Sequence, residues 1–319
     1  MDREKKILFG VDDSVFARQA IARVGSLLKN SENIKIKIFH GIPKPNIPFL
    51  ERMHLSPGIV ENYQKLWRLE EQKVLEQAKE VLTESGFDPN SVATVCEEEC
   101  NDPASSMYKL AMMEDFEILA LAQRRAATMG QKSMGTVTYR LANLADDRDL
   151  WVVDPRILSH DVLLTVVGVD ISRRVIEHAA QYFGHLRESR FTIFHVIPPV
   201  PPQVYESSYW VYSPSLNDKE GLEKMAQWMK QYVDQVKEIA DKGKEKLFKA
   251  GVPEQNVVIK FQVQREGIAR DILAELAEGN YGILVLGRKG FKDISQFGLG
   301  SKANKLLHAA QAFIISLVN

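Results

Sequence analysis

Short apolar runs alternate with longer stretches of helical periodicity along the whole chain. The short runs at residues 6–11 and 281–286 are rich in Val, Ile and Leu, which is typical of strands buried on both faces of a parallel sheet. The longer stretches space their apolar residues three and four apart, as Ala17, Ala20 and Ile21 do. Strands that alternate with helices predict an α/β fold with parallel sheets.

An internal repeat divides the chain into two halves. Residues 10–14 read Gly-Val-Asp-Asp-Ser and residues 168–172 read Gly-Val-Asp-Ile-Ser, and each motif is predicted to close an apolar strand before a helix. In each half a long amphipathic helix is predicted to end at a glycine, Gly86 or Gly251, because glycine adopts the left-handed conformation that stops a helix. The predicted domains are residues 1–156 and 157–319.

The long helix of the first half carries an apolar stripe that we expect to face the core. Its members are Ile59, Tyr63, Leu66, Leu75, Ala78, Val81 and Leu82. The second half has a proline-rich and aromatic segment at residues 198–214 before its own long helix. Its aromatic side chains are suited either to binding a partner or to packing onto the protein itself.

Composition describes an ordinary globular protein of about two domains, with 319 residues, 45% hydrophobic residues and 26% charged residues. The net charge of −1 gives no basic field for nucleic acid, and no apolar run is long enough for a membrane span or a signal peptide. We therefore expect a cytoplasmic protein that binds neither nucleic acid nor a membrane. Cys96 and Cys100 stand four residues apart, about 13 Å on a strand, which is too far for a disulfide.

A glycine-rich stretch near the end of the chain is the strongest candidate for chemistry. It reads Gly287-Arg-Lys-Gly290, then nine residues, then Gly300-Ser301, between a predicted strand and a predicted helix that Ser301 is placed to cap. Backbone N–H groups at the start of a helix suit a phosphate chain, and glycine lets the backbone approach it closely.

Three cations accompany this loop: Arg288, Lys289 and Lys302. They would offset the charge of a triphosphate, although loop cations are often only solvated side chains. The spacing is neither the Walker pattern nor the dinucleotide fingerprint.

With its strand and helix context, the loop resembles the nucleotide-binding signature of the universal stress protein family. The repeat extends this resemblance over nearly the whole chain, as two tandem copies. It implies two doubly wound, Rossmann-like, five-stranded parallel sheets of order 3-2-1-4-5, with the nucleotide at the carboxyl ends of strands 1 and 4. By resemblance, Val169 and Asp170 contact the adenosine part of ATP, and the backbone of Val196 reads the adenine edge. Helix capping by Asp170 or Ser172 and core packing of Val196 are the alternatives.

The first half departs from this pattern in its own loop. Ala122 stands for Gly287 and Arg125 for Gly290, while Gly135-Thr136 matches Gly300-Ser301. Arginine adds a Cβ and a long side chain where the phosphates would lie. We therefore predict that the first half is degenerate and does not hold ATP in the family manner.

The resemblance implies a nucleotide-binding stress protein that relays its occupancy to an unknown protein partner. ATP, with or without Mg²⁺, is the expected ligand, and AMP or ADP remains an alternative. A slow ATPase or a nucleotide-transfer enzyme is the alternative function, although the chain lacks His-x-Gly-His and Ser-Gly-Gly-x-Asp-Ser. We expect at most weak ATP hydrolysis. A ligand-free scaffold is a further alternative.

The family usually dimerises through its fifth strand, and this chain has two such strands, at residues 150–153 and 312–318. We predict that they pair across a pseudo-two-fold axis and make the chain an internal dimer. Such chains can associate further into homo-oligomers.

Overall fold

The computed structural model describes residues 4–31, 33–42, 57–123, 135–167, 169–200, 219–288 and 299–319. The chain divides into two compact units, Met1–Ile157 and Leu158–Asn319, called here the first and the second unit.

The described part of the first unit alternates strands with helices. Its strands are β1 (Lys5–Gly10), β2 (Ile34–Gly41), β3 (Val92–Glu97), β4 (Ile118–Ala122) and β5 (Asp149–Val153). Its helices are α1 (Val15–Leu28), α2 (Pro57–Glu84), α3 (Pro103–Glu114) and α4 (Thr136–Leu144). All strand pairs are parallel, in the order β3-β2-β1-β4-β5.

The second unit repeats this arrangement. Its strands are β6 (Val162–Thr165), β7 (Phe191–Ile197), β8 (Val257–Val263), β9 (Ile283–Gly287) and β10 (Ile314–Val318). Its helices are α5 (Val169–Phe183), α6 (Lys219–Lys249), α7 (Ile268–Glu278) and α8 (Ser301–Ala309). The parallel order β8-β7-β6-β9-β10 is again 3-2-1-4-5. The predicted fold class is confirmed.

The central strands form the core because both of their faces are covered, whereas the outer strands β3 and β8 are partly exposed. All five residues of β10 are buried, and Trp151 on β5 has no exposed surface. The two predicted helix stops are also confirmed. Gly86 and Gly251 follow the long helices with φ of +96° and +105°, a conformation that favours glycine.

The predicted core stripe of α2 is wrong in its first half. Leu75, Ala78 and Leu82 are buried as expected, but Ile59 and Leu66 are 52% and 63% exposed. Periodicity reports which face of a helix is apolar, but it does not report how far along the helix the rest of the unit covers that face.

The two cysteines do not lie on one strand. Cys96 lies on β3, which ends at Glu97, and the backbone then turns at Glu99, whose φ is 53°. Cys100 lies beyond that turn and is buried, and both thiols are free.

Among the described helices, none combines the length and the apolar character that a membrane crossing requires. The pairing of the two fifth strands stays a prediction.

Candidate functional site

The first unit has a cleft at the carboxyl ends of its central strands. Its volume is about 310 Å³, which lies within the usual size of ligand sites. The lining comes from the carboxyl ends of β1, β2 and β4, from α1 and α3, and from the first turn of α4. It includes Val11, Asp12, Ala17, His40, Gly41, Met107, Ala122, Gly135 and Thr136. This is the edge at which open α/β sheets bind ligands.

His40 forms one wall of this cleft and is held at both ring nitrogens. Its Nδ1 lies 2.9 Å from the carbonyl oxygen of Val11, and its Nε2 lies 2.6 Å from a carboxylate oxygen of Glu71 on α2. The sequence analysis missed this pair, because 31 residues separate its members and no local pattern joins them.

His195 occupies the matching place in the second unit with a different partner. Its Nδ1 lies 2.7 Å from the carbonyl oxygen of Val166, and the Tyr232 hydroxyl lies 3.1 Å from its Nε2. Because a carbonyl only accepts, Nδ1 carries the proton and the tyrosine donates to Nε2. Burial lowers the pKa of His195, against the raising effect of the Val166 bond, and burial raises the pKa of Tyr232 to about 12.

These two histidines show which residues of the first strands correspond. The N–H of Val11 donates to Phe39 and the N–H of Val166 donates to Phe194, at 2.9 and 3.0 Å. Val11 therefore corresponds structurally to Val166. The repeated Gly-Val-Asp motif aligns Val11 with Val169 instead, which lies three residues later.

The prediction that Asp170 closes the first strand of the second unit is consequently wrong. That strand ends at Thr165, and both Val169 and Asp170 lie in the first turn of α5. Their side chains lie outside the described part of the structure. Val196 lies on β7 and is buried.

The serines of the two motifs have different roles. The Ser14 hydroxyl caps α1 by accepting from the N–H of Ala17 at 3.1 Å. Ser172 lies inside α5 instead, buried, and its hydroxyl accepts from the N–H of Val167 at 2.9 Å. The same motif thus ends outside the helix in one unit and within it in the other.

The first end of the glycine-rich loop is tightly packed. A Cβ built on Gly287 would lie 2.2 Å from Cγ1 of Ile171, so a larger residue at this position would have to displace the Ile171 side chain. Arg288 follows with no exposed surface, and its N–H donates to the carbonyl of Val318 at 2.7 Å. Lys289 and Gly290 lie outside the described residues.

The second end of the loop leaves a helix start without a side-chain cap. Gly300 is the N-cap of α8, and its N–H donates to the carbonyl of Arg288 at 3.2 Å. The predicted capping role of Ser301 is wrong by one position, because Ser301 is the first helical residue and is exposed. Lys302 follows it in the same turn, half-buried. Uncapped N–H groups at a helix start favour an anion.

The first unit presents the same two loop ends with other residues. Gln123 follows β4 and is buried, and its N–H donates to Val153 at 2.7 Å, as that of Arg288 does to Val318. Gly135 is the N-cap of α4, again without a side-chain cap, and Thr136 is exposed. Arg125 lies outside the described residues.

Within the described ranges, no three His, Cys, Asp or Glu side chains are grouped so as to hold a metal ion.

Residues 160–312 match the model of the Universal stress protein family. These residues form a universal stress protein domain. The match begins just before β6 and ends just before β10, so it contains the whole glycine-rich loop. No curated protein sequence matches the chain significantly.

Solved structures show the same fold over both units. A universal stress protein from Archaeoglobus fulgidus DSM 4304 is 13% identical, with 99% of each chain covered and a TM-score of 0.62. A functionally unknown protein from Pseudomonas aeruginosa PAO1 is 12% identical, covering 98% of this chain and 92% of its own, with a TM-score of 0.57. A universal stress protein in complex with cAMP covers 48% of this chain at 16% identity, with a TM-score of 0.34, too low to support an argument.

Proposed function

We propose that this chain binds an adenine nucleotide, with ATP as the main ligand, at the glycine-rich loop of its universal stress protein domain. The observation that carries the proposal is the loop itself, Gly287-x-x-Gly290-x9-Gly300-Ser301. Its described ends support the proposal, because the loop leaves the carboxyl end of β9 and re-enters the fold at the uncapped start of α8.

The start of α8 supplies the phosphate-binding groups in this proposal. The N–H groups of Ser301 and Lys302 point along the positive end of the helix dipole, and the Lys302 ammonium adds a mobile charge in the same turn. The Ser301 hydroxyl is exposed and is a further donor for a phosphate oxygen. The backbone of Gly290 and the side chain of Lys289 complete the proposed cradle.

The role of Arg288 in this proposal is structural as much as electrostatic. A guanidinium with no exposed surface does not reach a solvent-side phosphate, but its fixed charge lies directly after β9, at the root of the loop. Val169, Asp170 and the backbone of Val196 remain the proposed adenosine contacts.

The proposed biological role is regulatory: occupancy of the loop is relayed to a protein partner. Weak hydrolysis of ATP to ADP and phosphate is the second proposed activity, and ADP would then remain bound as the product. AMP is an alternative ligand. Mass spectrometry of nucleotide released from the denatured protein distinguishes these cases, because it reports which nucleotide the purified chain carries.

The test places one negative charge at each helix start in turn. Ser301→Asp should remove ATP binding, because a carboxylate at this position competes with phosphate for the same N–H groups. The fold should be retained, since an acidic residue in the first turn favours a helix. Thr136→Asp makes the same change at the equivalent position of α4 and is the matched control.

Thermal unfolding with and without Mg-ATP gives the readout. A ligand at about 100 times its Kd adds about 2.7 kcal/mol to a folded state that alone binds it. Wild type and Thr136→Asp should show the corresponding rise in Tm, and Ser301→Asp should show none. Loss of the shift in Thr136→Asp alone would place the nucleotide in the first unit.

A further inference from the structure

The contact between His40 and Glu71 in the first unit requires a proton that its counterpart in the second unit does not. His40 Nδ1 faces the carbonyl of Val11, which only accepts a hydrogen bond, so Nδ1 carries a proton. His40 Nε2 lies 2.6 Å from a carboxylate oxygen of Glu71, and an ionised carboxylate also only accepts. A neutral imidazole with its proton on Nδ1 and an ionised carboxylate have no proton between Nε2 and the Glu71 oxygen. The contact is a hydrogen bond only if one additional proton lies on Nε2 or on the carboxylate.

The His40 side chain has almost no access to bulk water, and the Glu71 side chain has limited access. The His40 side chain is 6% exposed and the Glu71 side chain is 18% exposed. A hydrogen bond to a charged group at such a site is stronger than one between neutral groups, and its loss leaves a poorly hydrated partner.

Glu71 lies where α2 joins the core of the first unit. Val74 and Leu75, one turn later, are the first buried residues among the described side chains of this helix. Before Glu71, Ile59 and Leu66 are exposed. Among the described side chains, the first half of α2 thus includes exposed apolar residues, and the His40 contact at Glu71 joins the middle of the helix to the wall of the cleft.

We propose that the proton shared by His40 and Glu71 is a pH-dependent latch that holds the first half of α2 against the cleft of the first unit. The latch is closed while the pair keeps its proton. When the pH rises and the proton leaves, the Nε2 lone pair faces a carboxylate, and the contact is lost.

The charged neighbours of the pair come from three elements. Asp12, which follows β1, lines the same cleft, and Cys96 on β3 is in register with His40. Arg68 on α2 and Glu98 after β3 form an ion pair of 3.7 Å, with both side chains more than half exposed.

The second unit provides an internal control. There Tyr232 donates to Nε2 of His195, so this contact forms with a neutral imidazole and needs no additional proton. The proposal is independent of nucleotide binding, since neither His40 nor Glu71 belongs to the proposed ATP loop.

Hydrogen–deuterium exchange of the full chain tests the latch. Protection factors of peptides from residues 57–71 are measured between about pH 5 and about pH 8, the range in which histidine changes charge, after correction for the intrinsic rise of exchange with pH. Wild type should lose about tenfold in protection over this range. Peptides from α1 should not change.

Two substitutions separate the latch from general effects of charge. In Glu71→Gln the amide donates to a neutral imidazole, so protection should be retained and independent of pH. Glu70→Gln removes a neighbouring exposed carboxylate that pairs with Lys73 on the surface, and it should follow wild type. A wild-type protection factor that is constant with pH, or a Glu71→Gln protein that follows wild type, would overturn the proposal.

Nitrogen NMR of the histidine side chains gives a second readout. At the acidic end of the range, His40 should have a proton on both nitrogens, and His195 should have one on Nδ1 only. A His40 ring that stays neutral throughout, with Glu71 ionised, would also overturn the proposal.

Discussion

The two units share strand order and loop length but differ in what fills the carboxyl edge of the sheet. The chain spans the same number of residues from Ala122 to Gly135 as from Gly287 to Gly300. In the first unit the small side chains of Ala17 and Ala122 line an open cleft. In the second unit, Ile171 reaches the end of β9 and packs on Gly287.

This difference shows that a glycine in a binding signature can have two physical reasons. In the proposed function Gly287 allows the close approach of a phosphate, and in the structure it avoids a 2.2 Å contact with Ile171. At the same position in the first unit, Ala122 already carries a Cβ and lines the cleft. A comparison of the two loop sequences alone would attribute the difference between Gly287 and Ala122 entirely to ligand binding.

The largest expected effect concerns the entry to the fourth strand. A Cβ on Gly282 would lie 1.6 Å from the backbone oxygen of Ser159, whereas the first unit has Glu117 directly before β4. Because backbone atoms cannot rotate away, Gly282→Ala should lower the free energy of unfolding by about 3 kcal/mol. Denaturant unfolding of the full chain measures this change.

Glu117→Ala is the matched control for that prediction. It removes a partly exposed side chain at the equivalent position, and we expect a change below about 1 kcal/mol. Similar losses of unfolding free energy in Gly282→Ala and Glu117→Ala would contradict the expected difference between the residues that precede β9 and β4.

The next prediction tests whether Gly287 is needed for packing against Ile171 or for binding phosphate. Gly287→Ala should lower the free energy of unfolding by about 2 kcal/mol through the contact with Ile171. Adding Ile171→Ala should restore most of the loss, so the double-mutant cycle should give a coupling energy of at least about 1 kcal/mol. An additive cycle, with Gly287→Ala losing only ATP affinity, would assign the glycine to the phosphates instead.

The smallest effect distinguishes the two histidine contacts. Tyr232→Phe leaves Nε2 of the buried His195 without its donor and should cost about 1.5 kcal/mol at neutral pH. Tyr139→Phe, at an exposed position of the first unit, should cost less, because water can replace a partner that an exposed hydroxyl loses.

The alkaline limb of the stability curve extends this test. Burial raises the pKa of Tyr232 to about 12, above the value of about 10 for an unfolded tyrosine. The folded state therefore holds this proton more tightly, so its stabilising contribution is complete below about pH 10 and is lost as the pH rises toward 12. Tyr232→Phe should lack that part of the alkaline loss, and a loss identical to that of wild type would contradict the assignment.

The sequence predicted the architecture because strand burial and helix periodicity are local signals. The stops at Gly86 and Gly251 were predicted for the same reason, since the left-handed conformation is a property of the residue itself. The Universal stress protein match over residues 160–312 agrees with the resemblance that the loop spacing indicated.

The failures occurred where tertiary contacts decide. The repeated Gly-Val-Asp motif placed Asp170 at a strand end, but the hydrogen bonds of His40 and His195 match Val166, not Val169, to Val11. The apolar residues Ile59 and Leu66 in the first half of α2 are exposed. The contact between Glu71 and His40 joins two elements that are distant in sequence. No local pattern encodes these features.

Calorimetric titration with Mg-ATP tests the central claim most directly, namely that the universal stress protein domain holds the nucleotide and the first unit does not. Wild type should bind one ATP per chain. Gly290→Arg, which copies Arg125 of the first unit, should bind none while retaining the wild-type unfolding free energy without ligand. Two similar sites in wild type, or an undiminished single site in Gly290→Arg, would contradict the claim.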